Sequence, residues 1–192
     1  MKKLLRLTTH DISLYGLLKG QLHYLNQYFE VVAVAHDTGK LAEVGEREQV
    51  RVVPLRMARE ISLWQDLKSL FALIRLMRKE NPDIVHCNTP KGSLLALAAA
   101  KICRIPHRLY TVTGLRYQRT EGKLRTLLMT MEGLACAFAT KVIPEGEGVK
   151  QALIADKITK KPLVVVHNGN INGIDTTYLS PEALPKQKSA LS

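Results

Sequence analysis

Between Pro82 and Gly92 the chain gathers an imidazole, an amide, a hydroxyl and an ammonium group, on His86, Asn88, Thr89 and Lys91. They close a short apolar run, Asp83 to Cys87, and precede a helical pattern, so they would project from the carboxyl end of a strand. Groups of these types can hold ligand hydroxyls by hydrogen bonds and a phosphate by charge. A histidine satisfied by backbone at a strand end is the alternative reading of His86. No carboxylate joins the group, so its residues do not make a metal-ligand set.

Two further stretches have the same strand-to-loop character. From Thr8 to Gln21 a strand runs into a helix start that carries Ser13, Gly16, Lys19 and Gly20. Backbone amides at such a junction can bind a phosphate, with Gly16 or Gly20 allowing close approach and Lys19 adding charge. From Tyr110 to Arg116 a strand ends in Thr113, Gly114 and Arg116, with Arg119 and Lys123 beyond. Those cations could hold a pyrophosphate. Glu145 and Glu147, near the start of a later helix, suit the helix dipole and are assigned no chemistry. The chain contains no D-x-D pair, G-x-S-x-G elbow, P-loop or G-x-G-x-x-G fingerprint.

These loops must be carried by something that brings strand ends together. Short apolar runs at Leu4–Thr8, Phe29–Ala35, Val50–Leu55, Asp83–Cys87, Arg108–Val112, Lys141–Ile143 and Leu163–Val166 read as strands covered on both faces. Helical patterns lie near 15–28, 63–80, 91–102, 122–138 and 146–156. The alternation implies a doubly wound parallel sheet of about six or seven strands. Its carboxyl edge would carry Ser13, Lys19, His86, Asn88, Lys91 and Thr113 around one concavity. In the helix at 63–80, Ser62 and Gln65 form a capping box and Asn81-Pro82 stops the helix. Its apolar residues, Leu63, Leu67, Leu70, Phe71, Ile74 and Met77, read first as a face packed on the sheet. A basic amphipathic helix lying on an anionic membrane is the other reading.

With 192 residues, 46% of them hydrophobic, the chain fits one soluble domain, and its net charge of +11 is unusual. Segment 101–130 alone holds seven Lys and Arg against Glu121, a field that attracts phosphate groups or an anionic lipid surface. Cys87, Cys103 and Cys136 show no C-x-x-C spacing and read as buried free thiols of a reducing compartment. The early charges of Lys2, Lys3 and Arg6 exclude a signal-peptide core, and the longest apolar run, Leu94 to Ala100, is too short to span a bilayer.

The segment from Pro82 to Gly92 resembles the P-D-[IV]-[IV]-H-x-[HN]-x-P-K stretch of family 4 retaining glycosyltransferases. The segment from Asn172 to Pro181 resembles the crossover linker of the same enzymes, and the likeness runs from residue 1 to about 181. It implies a Rossmann-like domain, the N-terminal, acceptor-side half of a GT-B glycosyltransferase, spanning 1–181. Residues 182–192 would be a linker or frayed tail, with the donor domain and its E-x(7)-E motif absent.

By the same resemblance the loop with Ser13, Gly16, Lys19 and Gly20 approaches the donor phosphates. Many members carry a histidine where this sequence has Thr113, followed by Gly114. The implied parent transfers a sugar from a nucleotide-sugar, without a metal, to a lipid-linked or saccharide acceptor in capsule, O-antigen or exopolysaccharide synthesis. The implied location is the cytoplasm, with peripheral attachment to the inner face of the plasma membrane, and no nucleic-acid partner is implied. A stand-alone module that binds phosphorylated ligands and half of a sugar-nucleotide 2-epimerase are the alternatives.

Overall fold

A computed structural model of the chain describes residues 1–57 and 62–173. The predicted linker motif beyond Gly173, the boundary at 181 and the tail at 182–192 lie outside the described residues. Six strands form one parallel sheet: β1 (Lys3–His10), β2 (Glu30–His36), β3 (Arg51–Pro54), β4 (Ile84–Cys87), β5 (His107–Val112) and β6 (Lys141–Pro144). Their order is β3-β2-β1-β4-β5-β6. The connections are α1 (Gln21–Asn26), α2 (Leu41–Glu48), α3 (Leu63–Glu80), α4 (Pro90–Ile102) and α5 (Gly122–Phe138), with α6 (Glu147–Ala155) after β6.

The order reverses between β1 and β4, and the core divides there. On one face, Leu5, Leu7, Val85, Cys87, Tyr110 and Val112 of the central strands meet Leu73, Met77, Leu97 and Ala135 of the later helices. On the other face, Leu4, Val31 and Ala33 meet Leu14, Leu22 and Val44. Alternate residues along one strand serve opposite cores, which is why these strands are almost wholly apolar.

Four local expectations are corrected. The helix expected at 15–28 is a π-helical turn, Ser13–Leu17, followed by α1, because Gly20 takes a left-handed conformation (φ 78°) between them. Helix α2, which the periodicity did not announce, buries only Leu41, Val44 and Glu48. The seventh strand is a single parallel bridge from Leu163 to Val142. Just before it, the Lys161 ammonium donates to the carbonyls of Cys136 and Ala137 at 2.6 and 3.0 Å and to that of Ala139. That cation caps the end of α5 and carries the segment across the sheet edge instead of along it.

The fourth correction concerns α3. No side chain of the expected capping box bonds back at its start; the Ser62 N–H donates to Asp66 at 3.2 Å. Its buried row is Ser69, Leu73, Met77 and Glu80, while Leu63, Trp64, Leu67 and Phe71 are exposed. The apolar stripe therefore splits between the sheet and solvent. Among the described residues, no helix is long and apolar enough to cross a membrane.

Candidate substrate-binding site

The reversal of strand order opens a crevice at the carboxyl edge, between the ends of β1 and β4. Thr9 and Thr89 lace that crevice. The Thr9 N–H donates to Thr89 Oγ1 at 3.0 Å, and the two hydroxyls lie 2.7 Å apart. A Cβ at Gly92 would come within 2.7 Å of both hydroxyl oxygens, so only glycine lets α4 start this close to β1. Pro90 occupies the first turn of α4, where its missing N–H costs nothing.

His86, the residue before the last of β4, has Nε2 2.8 Å from Thr111 Oγ1 of β5. It keeps a strip of surface in a hollow of about 180 Å3 shared with Gln21, Thr111, Glu145, Gly169 and Asn170. Burial, and secondarily the charge of Arg6, pushes its pKa well below the usual histidine range. The ring is therefore neutral at pH 7 and offers one donor and one acceptor. Glu145, at the rim of the same hollow, has its carboxyl pKa raised by burial.

Beneath this edge lies Arg6, wholly buried in the middle of β1. It donates to the His86 carbonyl at 3.1 Å, to Asn88 Oδ1 at 3.0 Å and to Gln21 Oε1 at 3.4 Å. Burial lowers its pKa to about 10, which still leaves it charged. Asn88 in turn accepts from Thr113 Oγ1 through its carbonyl, at 3.1 Å, tying the end of β5 to that of β4.

Lys91, in the first turn of α4, is buried and pairs with Asp66 of α3 at 2.6 Å. It faces a separate, narrow cavity of about 30 Å3 with Arg116, Tyr117 and Glu132. The Glu132 carboxyl accepts from Tyr110 Oη at 2.7 Å, and burial raises its pKa to about 7.

The β1–α1 connection sits at the same sheet edge but is arranged differently. Gly16 and Lys19 are exposed, and Ser13 is half-buried in the π turn. The Gly20 N–H donates to Glu48 Oε1 at 2.9 Å and that of His23 to Oε2 at 3.1 Å. A carboxylate of α2 thus stands where an anion would sit on the α1 amides. Burial alone would raise the pKa of Glu48, but these donors and Arg47 outweigh it and the net shift is downward. Asn172 Nδ2 reaches the Lys19 carbonyl at 2.8 Å, and Gln21 Nε2 the Ile171 carbonyl at 2.8 Å. The chain turns back here through Gly169 (φ 86°), where a Cβ would fall 2.4 Å from the Glu145 carbonyl oxygen.

His86, Asn88, Thr89 and Thr113 are brought together, whereas Lys91 and Arg116 line the second cavity. Gly114 is exposed beside Thr113. Sequence reasoning passed over Arg6, Gln21, Thr111 and Glu132. A charge inside the apolar run Leu4 to Leu7 was the available signal for Arg6; nothing local marked Thr111. Among the described residues no cluster of His, Cys, Asp or Glu could hold a metal ion.

This edge belongs to a known kind of domain. Residues 23–169 match the family model for the glycosyl transferase 4-like domain, and the chain belongs to that family as the N-terminal, Rossmann-like domain of the GT-B fold. It is 35% identical over 174 residues to the capsular polysaccharide biosynthesis glycosyltransferase CapM of Staphylococcus aureus, covering 90% of this chain and 45% of that protein. It is 30% identical over 120 residues to UDP-Gal:alpha-D-GlcNAc-diphosphoundecaprenol alpha-1,3-galactosyltransferase of Escherichia coli, covering 62% of this chain and 31% of the other. The chain spans less than half the length of these relatives. In fold it is similar to Alr3699/HepE of Anabaena, solved with UDP and glucose, at a TM-score of 0.67 and 17% identity over 88% of this chain and 45% of that one. UDP-N-acetylglucosamine 2-epimerases share the fold at similarly low identity.

Proposed function

We propose that the chain is the acceptor-side domain of a glycosyltransferase that moves a sugar from a nucleotide-sugar to a lipid-linked or saccharide acceptor in capsule, O-antigen or exopolysaccharide synthesis. The domain spans 1–181, with 182–192 as a linker toward a donor domain, and the transfer retains anomeric configuration without a metal. The observation that carries the reading is the grouping of His86, Asn88, Thr89 and Thr113 at the crevice where the strand order reverses, in a chain whose 30–35% identical relatives are named as transferases. The 2-epimerases resemble it in fold alone.

In this reading neutral His86, aligned by Thr111, exchanges a hydrogen bond with an acceptor hydroxyl. Asn88 and Thr113 fix the strand ends on either side. Arg6 supplies fixed positive charge from below, and Arg116 adds charge from the neighbouring cavity, drawing in phosphate of donor or acceptor. The loop of Ser13, Gly16, Lys19 and Gly20 faces the donor side. The protein works in the cytoplasm, bound peripherally to the anionic inner face of the plasma membrane, where lipid-linked acceptors reside.

Transfer needs donor and acceptor held in one orientation, which one domain cannot arrange. The 192-residue chain should therefore show no transfer from any nucleotide-sugar, while the longer parent does. In that parent His86→Ala should lower kcat/KM by roughly a hundredfold, the scale of a misplaced reactant, with an unchanged melting temperature. Transfer by the isolated chain at the parent's rate, or an unaltered His86→Ala enzyme, would overturn the assignment.

A further inference from the structure

Helix α3 has an unusual division of charge. Its two acids turn inward: Asp66 pairs with Lys91, and Glu80 with Lys3 and Arg51. All four of Lys68, Arg75, Arg78 and Lys79 are exposed. Trp64, Leu67, Phe71, Arg75 and Arg78 recur at three- and four-residue spacing along one outward face. Leu63 is 87% exposed, Trp64 68% and Phe71 63%. Large apolar side chains are rarely left so open beside one another without an interaction to cover them.

The ion pairs also orient the helix. Asp66 meets Lys91 at the carboxyl edge of the sheet, and Glu80 meets Lys3 at the opposite edge, where β1 begins. The exposed apolar half of α3 therefore lies at the edge that carries His86 and Asn88, and Arg75, Arg78 and Lys79 lie toward the far edge. A groove of about 360 Å3 runs beside Trp64, with Arg56 and Lys68 on its walls and no acid among its described lining residues. Lys68 Nζ lies 5.2 Å from the Trp64 ring centroid.

We propose that α3 docks the domain on an anionic phospholipid bilayer. Leu63, Trp64, Leu67 and Phe71 enter the headgroup boundary, the groove of Arg56 and Lys68 takes a lipid phosphate, and Arg75, Arg78 and Lys79 lie on the charged surface. The observation that selects a bilayer over a protein partner is a wholly basic outward face around a short, end-placed apolar patch. Segment 101–130 is less suited. Arg108 spends its guanidinium on the carbonyls of Phe138 and Ile105, and Arg125 pairs with Asp156. Docking through α3 would hold the carboxyl edge beside the lipid surface. The proposal names the element that would make the peripheral attachment proposed above, and it rests on that reading.

Trp64 is the sole tryptophan of the chain, so its fluorescence reports docking directly. Vesicles containing phosphatidylglycerol should shift its emission to the blue, and brominated lipid should quench it; pure phosphatidylcholine vesicles should do neither. Neutralising Arg75, Arg78 and Lys79 together to Gln should weaken sedimentation with the anionic vesicles by about a hundredfold, at roughly fivefold per charge. The same change at Lys101, Arg104 and Lys123 should weaken it by no more than about threefold. Leu67→Ser with Phe71→Ser should abolish quenching, and circular dichroism would verify that these exposed substitutions leave the fold intact. Sedimentation without a change at Trp64, equal binding to neutral vesicles, or greater loss from the 101–130 variant would each overturn the proposal. No donor sugar enters these measurements, so they can fail while the transfer assay succeeds, or the reverse.

Discussion

Arg6 and Glu132 are ionisable groups buried in the two opposed cores, and they meet burial in opposite ways. Arg6 has no carboxylate within ion-pairing distance among the described residues; its three neighbours are neutral acceptors on Gln21, His86 and Asn88. Glu132 has one neutral donor, Tyr110. Burial lowers the arginine to about 10 and raises the glutamate to about 7, so at neutral pH the arginine remains charged while the glutamate is within its titration range. A guanidinium spreads its charge over five donors and keeps it. A carboxyl group can shed its charge, and does so when the surroundings solvate it poorly. The crevice near His86 therefore has a fixed cation beneath it, whereas the cavity of Lys91 and Arg116 has an acid whose charge depends on pH.

The largest effect should come from truncating Arg6. Arg6→Ala removes its bonds, strands the acceptors of His86 and Asn88, and opens a cavity, at a cost of about 3–4 kcal/mol. Arg6→Met keeps most of the volume and removes a desolvated charge, so it should cost only about 1–2 kcal/mol. Urea denaturation of both variants is the measurement. Both variants lose the charge and its hydrogen bonds and differ only in filled space, so equal costs would mean that the charge and the bonds it makes, not the filled space, are what the fold depends on.

Glu132→Gln gives the next effect, and it should depend on pH. The folded-state pKa lies above the unfolded one, so the protonated form favours folding. That contribution is complete below about pH 4.5 and is lost as pH rises through about 7. The wild type should therefore lose roughly 2–3 kcal/mol relative to Glu132→Gln between pH 4.5 and 8.5. Denaturant midpoints at the two pH values check this. A difference that stayed constant with pH would show that Glu132 is not the titrating group.

The contrast between these two groups was not legible in the sequence, although much of the scaffold was. Six strands were announced by runs such as Phe29 to Ala35 and Arg108 to Val112, since strands packed between two layers must be apolar throughout. Helix α2 escaped because only Leu41 and Val44 mark its inner face, and its buried Glu48 serves another helix. The stripe of α3 misled because spacing shows which residues share a face, not which face meets the sheet. His86, Asn88 and Thr113 could be placed at strand ends, because a strand end followed by a helix start is a local signal. Arg6 and its acceptors on His86 and Asn88 lie 80 and 82 residues apart, joined because β1 pairs with β4, and that adjacency has no local signature.

The smallest effect separates the two causes acting on His86. Burial is the larger reason for its low pKa and the charge of Arg6 the lesser one. In proton NMR the His86 ring of the wild type should remain neutral well below the pH at which an exposed histidine titrates. Arg6→Met removes the nearby cation and leaves the enclosure by Thr111 and the 166–171 segment in place. The His86 pKa should then move upward but stay below the ordinary value near 6.5. A return to that ordinary value would mean that the arginine alone holds the ring neutral. The crevice would then owe its character to one charge placed beneath it, and Arg6, not the packing around His86, would be the residue that determines its chemistry.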